Sequence, residues 1–96
     1  MTFQELQNAL KIFGFTGRVT LREIKKRHRK LVKTCHPDTG EQNDPEQIRL
    51  VNAAYGILLE YAEDFRFSFT DEEFLAQNPE ERIRLQFADD PLWGSN

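Results

Sequence analysis

Four residues near the middle of the chain have side chains that can do chemistry. Cys35, His36 and Asp38 stand in the run Cys35-His36-Pro37-Asp38, and His28 lies two helical turns upstream of Cys35. Such types serve as nucleophile, base, metal ligand or hydrogen-bond acceptor, and spacing decides among them. A Cys-His nucleophilic pair needs the thiol and imidazole held against each other in a cleft, whereas adjacent residues at a helix end point apart. A mononuclear metal site from His28, Cys35, His36 and Asp38 needs three or four converging ligands, and two helical turns separate the first from the rest. A docking loop asks less. Pro37 cannot continue a helix and biases His36 away from helical dihedrals, so the chain turns at a defined place. Asp38 is then presented on an exposed loop, where its carboxylate can accept a bidentate pair from a partner arginine. Bonds of this charge-assisted kind contribute ~1.5–3 kcal/mol. His36 either braces the loop through a hydrogen bond or meets the partner directly. Pro and Asp also build ordinary turns, so the elements on either side must distinguish this one.

The preceding element is basic. From Thr20 to Cys35 there are seven Lys or Arg residues (Arg22, Lys25, Lys26, Arg27, Arg29, Lys30, Lys33) against the single acid Glu23. That segment carries +6 in a chain of net charge −3, so the remainder carries −9. A general polyanion binder tends to be basic throughout. A basic element on an acidic body instead suits a local patch for an acidic partner surface. Surfaces without a binding role usually mix signs. The alternative partner is nucleic acid, whose phosphates a Lys/Arg-rich helix could contact. Against it stand the acidic remainder and the lack of a Gln/Asn/Arg set at a recognition-helix N-terminus.

Start signals divide the chain into helices. Thr2…Glu5, Thr20…Glu23, Asp44…Gln47 and Thr70…Glu73 each place a capping residue three positions before Glu or Gln, which satisfies N–H groups orphaned at a helix start. Pro45 follows Asp44 at the first helical position, where proline is favoured; Asn78-Pro79-Glu80-Glu81 is a fifth start of the same form. Apolar spacing of three and four puts Phe3, Leu6, Leu10 and Phe13 on one face of a first helix ending at Gly14. Leu21, Ile24, Leu31 and Cys35 line a second helix, with His28 at the stripe's margin. Ile48, Val51, Tyr55, Leu58 and Ala62 line a third. The turn-rich stretch 36–44 between the second and third predicts an antiparallel hairpin with the first helix packed across it. Tyr55 and the phenylalanines are assigned to the core, and Cys35 to the second helix's apolar stripe.

Beyond residue 64 the pattern weakens. The alternating Phe65-Arg66-Phe67-Ser68-Phe69 lacks a partner strand and reads as an extended connector with phenylalanines dipping onto the helices. Phe74 with Leu75, then Ile83 with Phe87, predict two short helices. The tail is expected to be irregular, with Leu92 and Trp93 its only anchors; it either packs back on the helices or links to a further segment, and packing is the preferred reading. The domain division expected is residues 1–64 and a C-terminal extension over 65–96.

The run REIKKRHRKLVKTCHPD, followed after a loop by VNAAYGILL, resembles the J domain of DnaJ-type heat-shock co-chaperones over roughly residues 3–62. In that family a basic second helix leads into an invariant His-Pro-Asp, and the third helix carries an Ala-Tyr pair like Ala54-Tyr55. The resemblance implies an all-α fold and binding to the ATP-bound form of a DnaK-type chaperone, with stimulation of its ATP hydrolysis. It implies that His36, Pro37 and Asp38 are essential to that stimulation, and that Lys25, His28, Arg29 and Lys30 match the contacting residues of the second helix. It implies an activator, not an enzyme, with no cofactor. The chain departs from the family at Cys35 and His28, where Tyr is usual, and in an acidic stretch replacing the Lys/Arg-rich fourth helix. The Gly/Phe-rich linker and zinc-binding cysteine repeats of full DnaJ proteins do not occur in it.

Composition bounds the rest. A 96-residue chain with 39% hydrophobic and 30% charged residues suits one modest core. Its single cysteine excludes an internal disulfide framework and multi-cysteine zinc modules. With no apolar run near ~18 residues and no signal-peptide pattern at the start, the expectation is a cytoplasmic monomer.

Overall fold

A computed structural model describes residues 1–35 and 44–88, all of them helix or connecting turn. The five helices are α1 (Phe3–Phe13), α2 (Leu21–Cys35), α3 (Pro45–Glu63), α4 (Asp71–Gln77) and α5 (Pro79–Ala88). The all-α expectation holds, with no strand among the described residues. The chain forms two compact units, Met1–Phe65 and the residues from Arg66 onward.

Each start is set by local chemistry. At Thr2 and Thr20 the capping box closes in both directions: the Thr hydroxyl accepts from the Glu N–H three residues on, and the Glu carboxylate accepts from the Thr N–H. Asp44 and Thr70 accept from the N–H groups of Gln47 and Glu73 at 3.2 Å each. The fifth start also forms: α5 begins at Pro79, and the Asn78 carbonyl accepts from the Glu81 N–H at 3.0 Å. Asn78 closes the preceding helix as well, its side-chain amide and backbone N–H both donating to the Phe74 carbonyl at 2.9 Å. At the end of α1, Gly14 takes φ 74°, ψ 27° and donates to the Leu10 carbonyl at 2.8 Å. That left-handed position is costly for residues with a Cβ, which accounts for glycine there.

Within the first unit, α3 is the shared element. It packs against α1 on one side and α2 on another, while α1 and α2 meet less extensively. The first helix therefore rests mainly on α3 and not evenly across the pair. The order of α2 and α3 is antiparallel: Cys35 faces Asp44, whose N–H lies 3.5 Å from the Cys35 carbonyl, and His28 faces Asn52 and Tyr55. The core is Ala9, Phe13, Ile24, Cys35, Val51, Ala54 and Leu58, with Leu6, Leu10, Leu31, Ile48 and Tyr55 partly buried against it.

Several residues assigned to the core lie outside it. Phe3 is 72% exposed and Leu21 44%. At about 100° per residue, Phe3 sits about 80° round α1 from Phe13, at the face's edge and in the first turn. Of the eight phenylalanines only Phe13 is buried; Phe15 is partly buried, and Phe3, Phe65, Phe67, Phe69, Phe74 and Phe87 are exposed. In the connector, Phe65 packs on Tyr61 with centroids 5.9 Å apart, whereas Phe69 is 93% exposed. The two short helices predicted after residue 70 form as α4 and α5, yet neither buries a residue. The tail with Leu92 and Trp93 lies outside the described residues.

Candidate partner-docking surface

The charge on α2 is sorted by the helical period. Taking Leu21 as the origin and about 100° per residue, Lys25, Arg29, Arg22, Lys33, Lys26 and Lys30 fall on one arc of about 140°. All six are exposed. The buried Ile24 and Cys35 lie on the other side, with Leu31 between them and Arg27. None of the six arc residues forms an ion pair among the described residues, where the two ion pairs are Arg49–Glu46 and Arg84–Glu81. An arc of exposed cations on one helix gives a concentrated positive potential over that face, of the sign that suits an acidic partner.

The seventh cation is used within the fold. Arg27 donates from a guanidinium nitrogen to the Phe13 carbonyl at 2.5 Å, and its guanidinium stands 5.0 Å from the centroid of the Phe15 ring. It thus satisfies a carbonyl left open at the end of α1 while a cation completes the negative end of that helix. Sequence reasoning counted Arg27 with the basic patch. Its angular position, about 60° beyond Lys30 at the end of the arc and toward Leu31, was the available signal.

His28 is also drawn inward. Its ring lies 3.7 Å from the Tyr55 ring at an interplanar angle of 5°, with Phe13 stacked 6.4 Å from each. Nε2 is hydrogen-bonded to the Asn52 side-chain oxygen at 2.9 Å. The imidazole therefore joins α2 to α3 and to the end of α1, and is half-buried. Asn52 is a partner that no sequence motif announced, because the pair forms only when antiparallel helices bring residues 24 apart side by side.

Lys25, Arg29 and Lys30 thus share the exposed arc, and His28 lies at its inner border. His36, Pro37 and Asp38 lie outside the described residues. The elements flanking them are described: α2 runs without a break to Cys35, whose side chain is buried, and α3 starts at Pro45 behind the Asp44 cap. The loop's two ends are therefore anchored close together, and the basic arc runs along α2 to its threshold. Among the described residues no group of His, Cys, Asp and Glu could hold a metal ion, and no helix is long and apolar enough to cross a membrane.

The family model described as the DnaJ domain matches residues 8–63. Three curated relatives, each named "Curved DNA-binding protein", come from Coxiella burnetii strains Dugway 5J108-111, RSA 331 / Henzerling II and RSA 493 / Nine Mile phase I. Each is 42% identical over 55 residues, covering 56% of this chain and 18% of the relative. The chain therefore spans less than a fifth of the length of these relatives. No solved structure matches it. The matched span contains the end of α1, α2 and α3, the helices whose geometry has just been described, together with His36, Pro37 and Asp38. By that match, and by its all-helical fold, the chain belongs to the DnaJ domain family, the regulatory module of DnaJ-type co-chaperones.

Proposed function

We propose that this chain docks on the ATP-bound form of a DnaK-type chaperone and stimulates its ATP hydrolysis. The observation that carries this reading is the exposed arc of six cations on α2, running to the His36-Pro37-Asp38 loop. In the proposed mechanism Lys25, Arg29 and Lys30 steer and hold an acidic surface of the chaperone. Pro37 shapes the loop. Asp38 accepts a charge-assisted pair from a chaperone arginine, and His36 braces the loop or meets the partner. His28 borders the contact and holds α2 on α3. The chain itself makes and breaks no bond; it shifts the chaperone toward its hydrolysing state by binding that state better.

The test is single-turnover ATP hydrolysis by a DnaK-type chaperone with the wild-type chain and with His36→Gln. Stimulation by the wild type and its loss in the variant are expected. Equal rates with both, or no stimulation by either, would overturn the proposal. Stimulation should also weaken as salt rises, because the arc is solvent-exposed and screened over roughly 8–10 Å.

The relatives' name directs a second reading, phosphate contacts by the same arc. Duplex DNA titrated at increasing salt decides it: micromolar or tighter affinity with a steep salt slope supports nucleic-acid binding. Little binding near physiological salt leaves the chaperone reading alone.

A further inference from the structure

The unit that begins at Arg66 has a feature that the co-chaperone reading does not use. Its two helices, α4 and α5, pack on each other and enclose a shallow groove. Phe69, Phe74, Leu75 and Leu85 give the groove an apolar lining, and Asp71 and Glu73 stand at it with no Lys or Arg among the lining residues. Phe74 and Leu85 are about half exposed, and Phe69 almost wholly so. Neither α4 nor α5 buries a residue.

Two physical arguments make this surface incomplete by itself. First, neither α4 nor α5 buries a residue, so the apolar lining is contiguous surface and not a core. Contiguous apolar surface rimmed by polar groups marks an interaction site. Second, the rim has one sign. Asp71, Glu72 and Glu73 occupy the first turn of α4 without an intervening cation, and none of them forms an ion pair among the described residues. Glu73 accepts only a neutral amide, from Gln77 at 2.9 Å. These acids favour the positive end of α4, but that role leaves their outward charge uncompensated.

We propose that the α4–α5 groove binds a segment of a partner protein that folds as an amphipathic helix carrying Lys or Arg beside its apolar face. The apolar face would cover Phe69, Phe74 and Leu85, and the cations would meet Asp71 and Glu73. The sign of the rim selects a cationic occupant. The groove residues carry the opposite charge to the basic arc on α2, so the two surfaces suit partners of opposite chemistry.

Three synthetic peptides, titrated against the full chain by fluorescence anisotropy at physiological salt, test the proposal. One is a Leu/Lys peptide with leucines at helical spacing; the second replaces every Lys by Glu; the third keeps the Lys but replaces every Leu by Ser. Saturable binding of the first, with at least tenfold weaker binding of the other two, is expected. Asp71→Asn with Glu73→Gln should weaken the Leu/Lys peptide about tenfold, and backbone NMR shifts on binding should concentrate between residues 69 and 85. That charge variant leaves the apolar lining intact, so its effect does not depend on refolding. Equal binding of the Lys/Ser peptide would reduce the contact to bulk charge attraction and overturn the proposal. NMR shifts confined to residues 1–65 would overturn it, as would a dimer in sedimentation that Phe74→Ser dissolves, which would assign the groove to a second copy.

Discussion

The α1–α3 unit and the α4–α5 region are both helical, capped by the same kind of Thr box, and similar in their local signals. They differ in what the helices bury. In the first unit α3 presents Val51, Ala54 and Leu58 to two neighbours, and Phe13 inserts with 1% exposure. The second region forms its helices yet buries no side chain in either. Caps and propensity settle where a helix begins; only apolar area removed from water settles whether it is held. The first unit can therefore carry a rigid display of charge, and the second offers a surface to be completed.

Substitutions can break this contrast, and the largest effect should come at Phe13. Phe13→Ala should cost about 3–5 kcal/mol by leaving a cavity at the meeting of α1, α2 and α3. Phe74→Ala, on a half-exposed site in α4, should stay within about 0.5 kcal/mol. Urea denaturation of both variants measures the difference, and similar losses would erase the distinction between the units. Next in size is Arg27→Ala, which removes the bond to the Phe13 carbonyl and the cation over Phe15. About 1–2 kcal/mol is expected, while Lys26→Ala, on the exposed arc of the same helix, should be nearly neutral.

A finer prediction concerns the ring stack. A double-mutant cycle with His28→Ala and Tyr55→Ala should give a coupling of about 0.5–1.5 kcal/mol. Additive losses would mean that the 3.7 Å stack contributes nothing of its own. The smallest effect is electrostatic. Glu23 has its carboxylate pKa lowered, chiefly by the Thr20 backbone N–H and then by the Thr20 hydroxyl. A carboxylate whose folded-state pKa is depressed stabilises the fold above its unfolded pKa, and the gain disappears as pH falls through the folded value. Glu23→Gln should therefore narrow the drop in urea midpoint between about pH 7 and about pH 3. An unchanged drop would show that the box at Thr20 carries no acid-dependent share.

Much of the fold was legible in the sequence because its information is local. The Thr-x-x-Glu boxes marked three helix starts, Asp44-Pro45 a fourth, and Gly14 an end, since each satisfies backbone groups of its own turn. Asn78-Pro79 marked the fifth start, while the turn of the Asn78 amide back to the Phe74 carbonyl was not legible, because an amide can serve either of two neighbouring helices. The core stripe was legible at Ile24, Val51 and Leu58. It failed at Phe3 and Leu21, where apolar type and rough phase were right but each residue sits at the start of its helix and at the edge of the buried face.

For the docking surface, the sequence by itself determined the charge of α2, the order in which that helix meets His36-Pro37-Asp38, and resemblance to the DnaJ family. Only the tertiary structure decided which cations face a partner and which serve the fold. Arg27 and Lys26 are neighbours with the same charge. One bonds the Phe13 carbonyl and the other stands exposed, because about 100° of helical turn carries one toward α1 and the other away from it. His28 was likewise placed beside the contacts by its position in the sequence, and was committed to Tyr55 and Asn52 by the packing of α2 on α3. A charge count is a property of the chain, whereas its direction is set by what the opposite face of the helix must bury.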